Sequence, residues 1–374
     1  GGGKNQEIDV FQKLISNMQS NQSLLIKDIL IEGIKMGASD LHFSVGNKPV
    51  LRVNQNLVFL EDREVIVSEF MEALIGSWLD AKAKATLESN REIIFTYDFD
   101  KELRFKINIF YQKGYLSATF RHIPSRVPTI DSLGLVPVLK SLTAFKKGLI
   151  LVAGPFGSGR STTAAAMIEE INQSRKEYVI TIENPIEYIF TNSKSIIEQR
   201  EVGKDTKSFE EALKYFQEED GDVLFLQEMG DPKIVPLVLE IANGSSLVIS
   251  AVNADSASKA ISSILDNFTS LDQERIRDLL SNSLRAVVCQ RILPKSGGGV
   301  IAVQEIMVVN EAIKSIIANG NISQLDNIIQ VSKKEGMISF NQALAELVQA
   351  RKINMQDALA ESPDRKSLEG TLNS

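Results

Sequence analysis

The stretch Leu149-Ile150-Leu151-Val152-Ala153-Gly154-Pro155-Phe156-Gly157-Ser158-Gly159-Arg160-Ser161-Thr162 decides how this chain is read. Its apolar opening, Leu149–Ala153, suits a strand buried on both faces. Gly154–Ser161 then keeps the spacing G-x-x-x-x-G-[K/R]-[S/T], and a helical pattern runs from Ser161 to Ser174. Strand, glycine-rich turn and helix is the setting in which this spacing cradles phosphate. Glycines let successive backbone N–H groups converge on phosphate oxygens, and the amino end of the helix adds favourable partial charge. Gly154, Gly157, Ser158, Gly159, Arg160, Ser161 and Thr162 are therefore the candidate binding residues, with the Ser161 hydroxyl placed for Mg2+. One position departs from the pattern: Arg160 stands where the motif has lysine. A planar guanidinium does not replace a compact ammonium conservatively. Hydrolysis, which depends on positioning and charge stabilisation, is more exposed to that change than binding.

Downstream, the apolar strands Tyr178–Ile182, Val223–Leu226 and Leu247–Val252 alternate with helical stretches at Phe209–Gln217, Pro232–Ala242 and Leu271–Cys289. That alternation predicts an α/β fold with a mostly parallel sheet. Glu183 and Glu228 each follow a strand end, where ligands bind in open α/β sheets. An isolated acidic residue in a loop reads first as a solvated carboxylate. Their joint placement beside a phosphate loop makes both candidates for the chemistry.

Upstream, helical spacing over Ile8–Met18 and Leu24–Met36 stops at Gly37. Short strands follow at Leu41–Val45, Val50–Val53 and Leu57–Leu60, then a helix through Phe70–Leu79. A last pair, Leu103–Phe110 and Tyr115–Ile123, is joined across Lys113-Gly114. This mixture predicts a compact α+β domain. Pro124 and Pro128 mark a linker. The expected organisation is an extension over 1–23, an amino-terminal domain over 24–123 and a linker over 124–147. A phosphate-loop domain over 148–354 and a mobile polar tail over 355–374 complete it.

Composition narrows the function classes. With 374 residues, 43% hydrophobic and 24% charged, the chain has material for two cores and is not globally disordered. No apolar run approaches the ~18 residues of a membrane-spanning helix. A single cysteine, Cys289, excludes an internal disulfide and suits a cytoplasmic protein. Only His42 and His122 are available for histidine chemistry, and the net charge of −7 argues against nucleic acid as a partner.

With the loop in hand, most of the chain, from about Leu24 to Asn354, resembles the PilT-like motor ATPases of type IV pili, in the type II/IV secretion ATPase superfamily. The resemblance rests on Ala38-Ser39-Asp40-Leu41-His42, the Phe120–Pro124 segment and the acidic box Ile180–Tyr188. Gln199-Arg200-Glu201-Val202, a Walker B segment at Leu226–Asp231, Gly297-Gly298-Gly299, Glu305-Ile306-Met307 and Ala312–Ile317 continue it in order. It implies a PAS-like amino-terminal domain and a RecA-like domain that binds ATP or ADP with Mg2+. It also implies a hexameric ring at the cytoplasmic face of the inner membrane, a pilus platform protein as partner, and a role in retraction and twitching motility. It assigns the catalytic-glutamate role to Glu228, a second carboxylate near the metal to Glu183, and phosphate sensing to Arg104 and Arg121.

The sequence departs from the family pattern at the polar positions. Asn184 replaces an aspartate of the acidic box, Ser246 and Asn253 stand for the two histidines of the histidine box, and Gly230 and Gly114 stand for arginines. Loss of one preorganised donor typically costs ~10²–10³ in turnover. The expectation is an ATP-binding motor subunit with weakened or lost hydrolysis to ADP and phosphate. The alternatives are a non-catalytic partner of an active paralogous pilus ATPase and a fully competent ring ATPase.

Overall fold

The computed structural model describes residues 26–53, 56–99 and 103–373. The expected helix at Ile8–Met18 lies outside them. The chain divides into two compact units, the first ending at Ser125 and the second starting at Arg126.

The first unit is an antiparallel sheet of β1 (Ala38–Ser44), β2 (Val50–Val53), β3 (Asn56–Phe59), β4 (Glu92–Asp98), β5 (Arg104–Gln112) and β6 (Tyr115–Ile123). Its order is β3-β2-β1-β6-β5-β4. Side chains alternate across the pleat, so Leu41, Phe43, Phe105, Ile107, Ile109, Ala118 and Phe120 share one face. They are buried with Met71, Leu74 and Ile75 of the helix Ser68–Trp78 and with Ile26, Ile29 and Leu30 of the helix over 26–35. Lys113 and Gly114 take positive φ angles of 50° and 84°, the handedness a two-residue hairpin needs to match strand twist. Gly114 takes this φ without the steric cost a side chain would carry. The strand β4 and the helix Ala81–Asn90 that leads into it do not stand out in the sequence, because Glu92–Asp98 alternates only weakly.

The second unit is a sheet of β7 (Gly148–Ala153), β8 (Tyr178–Glu183), β9 (Ile196–Glu201), β10 (Val223–Leu226), β11 (Leu247–Val252), β12 (Leu284–Pro294) and β13 (Val300–Val308). The order is β13-β12-β7-β11-β10-β8-β9, and only the β12–β13 pair is antiparallel. Every residue of β7, β10 and β11 is buried, which is why these strands read as continuous apolar runs.

Three expectations are corrected. The helix expected over Leu271–Cys289 ends at Ser283, and Leu284–Cys289 opens β12 beside β7. β-branched Val287 and Val288 favour the strand, and pairing with β7 covers their backbone. Residues 126–147 are not a free linker: Ile130, Leu139 and Leu142 are buried, and the short helix Val138–Leu142 belongs to the second unit. The expected mobile tail over 355–374 instead forms the helices Met355–Glu361 and Arg365–Asn373. Fully buried Leu368 and Ala358 join Leu293, Val303, Phe340 and Leu344 in a separate apolar cluster. Arg291 secures it by donating to the Glu361 carbonyl at 2.8 Å and lying 4.6 Å from the Phe340 ring centroid.

Truncating a fully buried leucine costs about 2–5 kcal/mol. Leu368→Ala is therefore expected to speed amide exchange over residues 355–373 by at least about tenfold, with β7 and β11 unchanged. Hydrogen-exchange mass spectrometry checks this; a uniform response of the whole chain would show that these helices do not open as a unit.

Candidate functional site

The site grows from the carboxyl end of β7. Gly154 has a φ of 154°, and a Cβ placed on it would meet the Ser158 hydroxyl and lie 2.5 Å from the carbonyl oxygen of Gln290. Only glycine fits this close approach of two backbones. The helix Arg160–Ser174 then starts from Gly159, which has no side chain with which to cap it. The amide donors of the first turn are thus left facing outward, as anion binding requires.

Gln290, on β12 and 1% exposed, holds the loop in shape. Its Nε2 donates to the Ser158 carbonyl at 2.6 Å, and its Oε1 accepts from the Thr163 hydroxyl at 2.8 Å. Gln304 on β13 donates to the same Oε1 at 3.1 Å and accepts from the Val136 amide at 3.2 Å. Sequence reasoning misses both glutamines. The available signal is a lone amide inside the apolar run Ala286–Cys289 and its continuation, since a buried polar side chain has to be hydrogen-bonded.

Two buried polar atoms at the loop have no hydrogen-bond partner among the described residues, Ser158 Oγ and Arg160 Nη1. The Arg160 side chain is 14% exposed, and Nη1 lies 3.5 Å from Glu228 Oε1, just beyond β10. That spacing is a charge contact without hydrogen-bond geometry. The structure therefore brings the non-standard arginine to Glu228. Ser161 is half-buried at the start of the helix, one residue beyond Arg160. The Thr162 hydroxyl meets the Tyr188 hydroxyl at 3.1 Å, tying the loop's helix to the segment after β8.

Glu183 behaves differently from Glu228. It is 4% exposed at the end of β8 and accepts hydrogen bonds from Thr181 Oγ1 at 2.7 Å and Gln199 Nε2 at 3.2 Å. Burial pushes its carboxyl up from 4.5 to about 7, against these bonds and one from the Glu187 amide. None of these partners is a loop residue. Asn184 and Pro185 are held by Gln227, whose Oε1 accepts from the Asn184 amide at 2.6 Å and whose Nε2 donates to the Pro185 carbonyl at 3.3 Å. At the histidine-box positions, Ser246 donates to the Gly221 carbonyl at 2.8 Å, and Asn253 is exposed.

Arg104 and Arg121 lie on the sheet of the first unit, in cross-strand ion pairs set by register. Arg104 faces Asp98 at 2.7 Å and Arg121 faces Asp40 at 2.9 Å. Their guanidinium groups already have carboxylate partners within that unit.

The donor set suits a polyphosphate. It offers a glycine cradle that a Cβ would fill, outward amides, an orphaned hydroxyl on Ser158 and a cation on Arg160. Fold and site thus define a phosphate-loop protein of RecA-like architecture, joined to an α+β unit built on a six-stranded antiparallel sheet. More particularly, the chain belongs to the type II/IV secretion system protein family, whose profile matches residues 17–298. It is 36% identical over 338 residues to the type IV pilus retractation ATPase PilT of Pseudomonas aeruginosa, covering 89% of this chain and 96% of that protein. It is 32% identical to a twitching motility protein of Neisseria gonorrhoeae, over 86% of each chain. A crystal structure of the pilus retraction motor PilT with bound ADP superposes with a TM-score of 0.81 at 38% identity, covering 92% of this chain and 98% of that one.

The raised Glu183 carboxyl carries a sign for stability. Between pH 4.5 and about 7 the folded chain keeps a proton that the unfolded chain has lost. This stability is complete below pH 4.5 and is lost as pH rises through 7, a loss of about 3 kcal/mol at most. Glu183→Gln is therefore expected to raise the denaturation midpoint at pH 8 relative to wild type by more than it does at pH 5. Urea melts at the two pH values check it, and parallel shifts would remove the titration from Glu183.

Proposed function

We propose that this chain is an ATP-binding motor subunit of a type IV pilus retraction machinery, with hydrolysis weakened by its own phosphate loop. The observation that carries the reading is Arg160, drawn to Glu228 where the motif's lysine would serve phosphate. The loop amides from Gly157 to Thr162 and the Ser158 hydroxyl would bind the polyphosphate. Ser161 would hold Mg2+, with Glu228 acting through water; the ion supplies charge neutralisation when bound. Glu228, 54% exposed in its side chain, is the group available to orient an attacking water. Glu183, buried and bonded to Thr181 and Gln199, shapes the 184–188 segment and is assigned a positioning role.

The named relatives support retraction as the context; the assembly in this reading is a hexameric ring. A ring needs heterologous contacts between unlike surfaces of neighbouring subunits. The proposed location is the cytoplasmic face of the inner membrane, against a platform protein. A second reading, a regulatory subunit working with an active paralogous ATPase, draws on the same Arg160–Glu228 contact and on Asn184, Ser246 and Asn253. Arg104 and Arg121 remain the proposed phosphate-sensing arginines.

Calorimetric titration with ATP and Mg2+, paired with phosphate release on the same preparation, tests the proposal. Binding with slow turnover is expected, and Arg160→Lys is expected to raise turnover by about tenfold or more. Brisk turnover by the wild-type chain would overturn the impairment, and Arg160→Lys with no effect would remove its cause. Gly154→Ala is expected to abolish binding, since its Cβ would displace Ser158 and Gln290.

A further inference from the structure

Arg160 is in an unusual position for a cation. Its side chain is largely buried, and its Nη1 lacks a hydrogen-bond acceptor among the described residues. The anion beside it, Glu228, stands at 3.5 Å without hydrogen-bond geometry. A guanidinium presents five donors in a rigid fork, and leaving one buried and unbonded is costly. The contact is therefore loose, and a partner offering oxygens in bidentate geometry would satisfy the guanidinium better. The Ser158 hydroxyl, also buried without a partner among the described residues, lies two residues away on the same loop. Both unsatisfied groups belong to the element that would receive phosphate.

We propose that Arg160 and Glu228 form a competitive latch. Arg160 is a two-position residue, held by Glu228 or by a bound polyphosphate, and it has to leave one to satisfy the other. In the first position the guanidinium sits beside the Glu228 carboxylate and competes with an attacking water for it. In the second position Glu228 is released, so carboxylate and phosphate compete for one guanidinium through turnover, and that competition is the source of the slowed hydrolysis proposed above. The arginine substitution thus links occupancy of the loop to the availability of the carboxylate, a link that a shorter, single-pointed lysine would make more weakly. This inference deepens the proposed function and rests on its reading that the loop binds nucleotide.

A double-mutant cycle read by affinity tests the latch without turnover. The wild-type chain, Glu228→Gln, Arg160→Gln and the double variant are titrated with a fluorescent non-hydrolysable ATP analogue and Mg2+. Glu228→Gln removes electrostatic repulsion in both backgrounds, but it removes competition for the guanidinium only where Arg160 is present. The tightening caused by Glu228→Gln is therefore expected to be about three- to tenfold larger with Arg160 in place than in the Arg160→Gln background. An equal or smaller tightening with Arg160 would show that the arginine shields or bridges Glu228, and would overturn the latch. If Arg160→Gln binds too weakly to titrate, Arg160→Lys completes the cycle, with a smaller tightening expected than with arginine and an equal one counting against the proposal. Failure of both the wild-type chain and Glu228→Gln to bind the analogue would overturn the nucleotide-binding reading itself. Binding without the expected coupling overturns the latch alone.

Discussion

The close approach of the Gly154 backbone to the Gln290 backbone is the constraint on which the second unit's site depends. It sets β12 against the end of β7, so that the Gln290 side chain can reach both the Ser158 carbonyl and the Thr163 hydroxyl. A loop of glycines has many conformations and gains no packing from side chains. Here one buried amide, bonded to Ser158 and Thr163 and tied in turn to Gln304, holds one conformation. Hydrogen bonds in such a setting are strengthened by low dielectric, and an unmade one is expensive, so the network is all or nothing. Residues 126–147 enter the same network through Val136, which explains why that segment packs on the second unit instead of spanning freely.

The two strand-end glutamates illustrate how burial separates similar side chains. Glu228 is solvent-accessible and faces a cation, whereas Glu183 is enclosed, accepts from the neutral side chains of Thr181 and Gln199, and has the anionic Glu187 nearby. Desolvation favours the protonated form of Glu183, while Glu228 keeps contact with water. The family resemblance alone places both near metal and phosphate. In the proposed reading, Glu228 is the group open to chemistry, while Glu183 shares its partner Gln199 with the carbonyl of Tyr188, the residue that meets Thr162.

Much of the fold was legible. The strands β7, β8, β10 and β11 are continuous apolar runs because parallel central strands are covered on both faces. The hairpin at Lys113-Gly114 was legible because few residues tolerate positive φ. What escaped had physical causes. Leu284–Cys289 is nearly apolar throughout and follows a helix directly, so periodicity could not separate the two elements. The carboxy-terminal helices carry few apolar residues, yet Ala358 and Leu368 suffice because Phe340, Leu344 and Leu293 supply the rest of the cluster from elsewhere in the chain.

From residue order alone came the phosphate loop, its departure at Arg160, the family and the division into two units, because each depends on local spacing or local composition. Tertiary structure alone decided that Arg160 turns to Glu228, that Gln290 braces the loop, that Glu183 is enclosed, and that Arg104 and Arg121 carry carboxylate partners. Most of those outcomes join residues tens of positions apart in the chain. Their partners are set by sheet order and strand register, which backbone pairing across the whole unit determines and no short window of sequence contains.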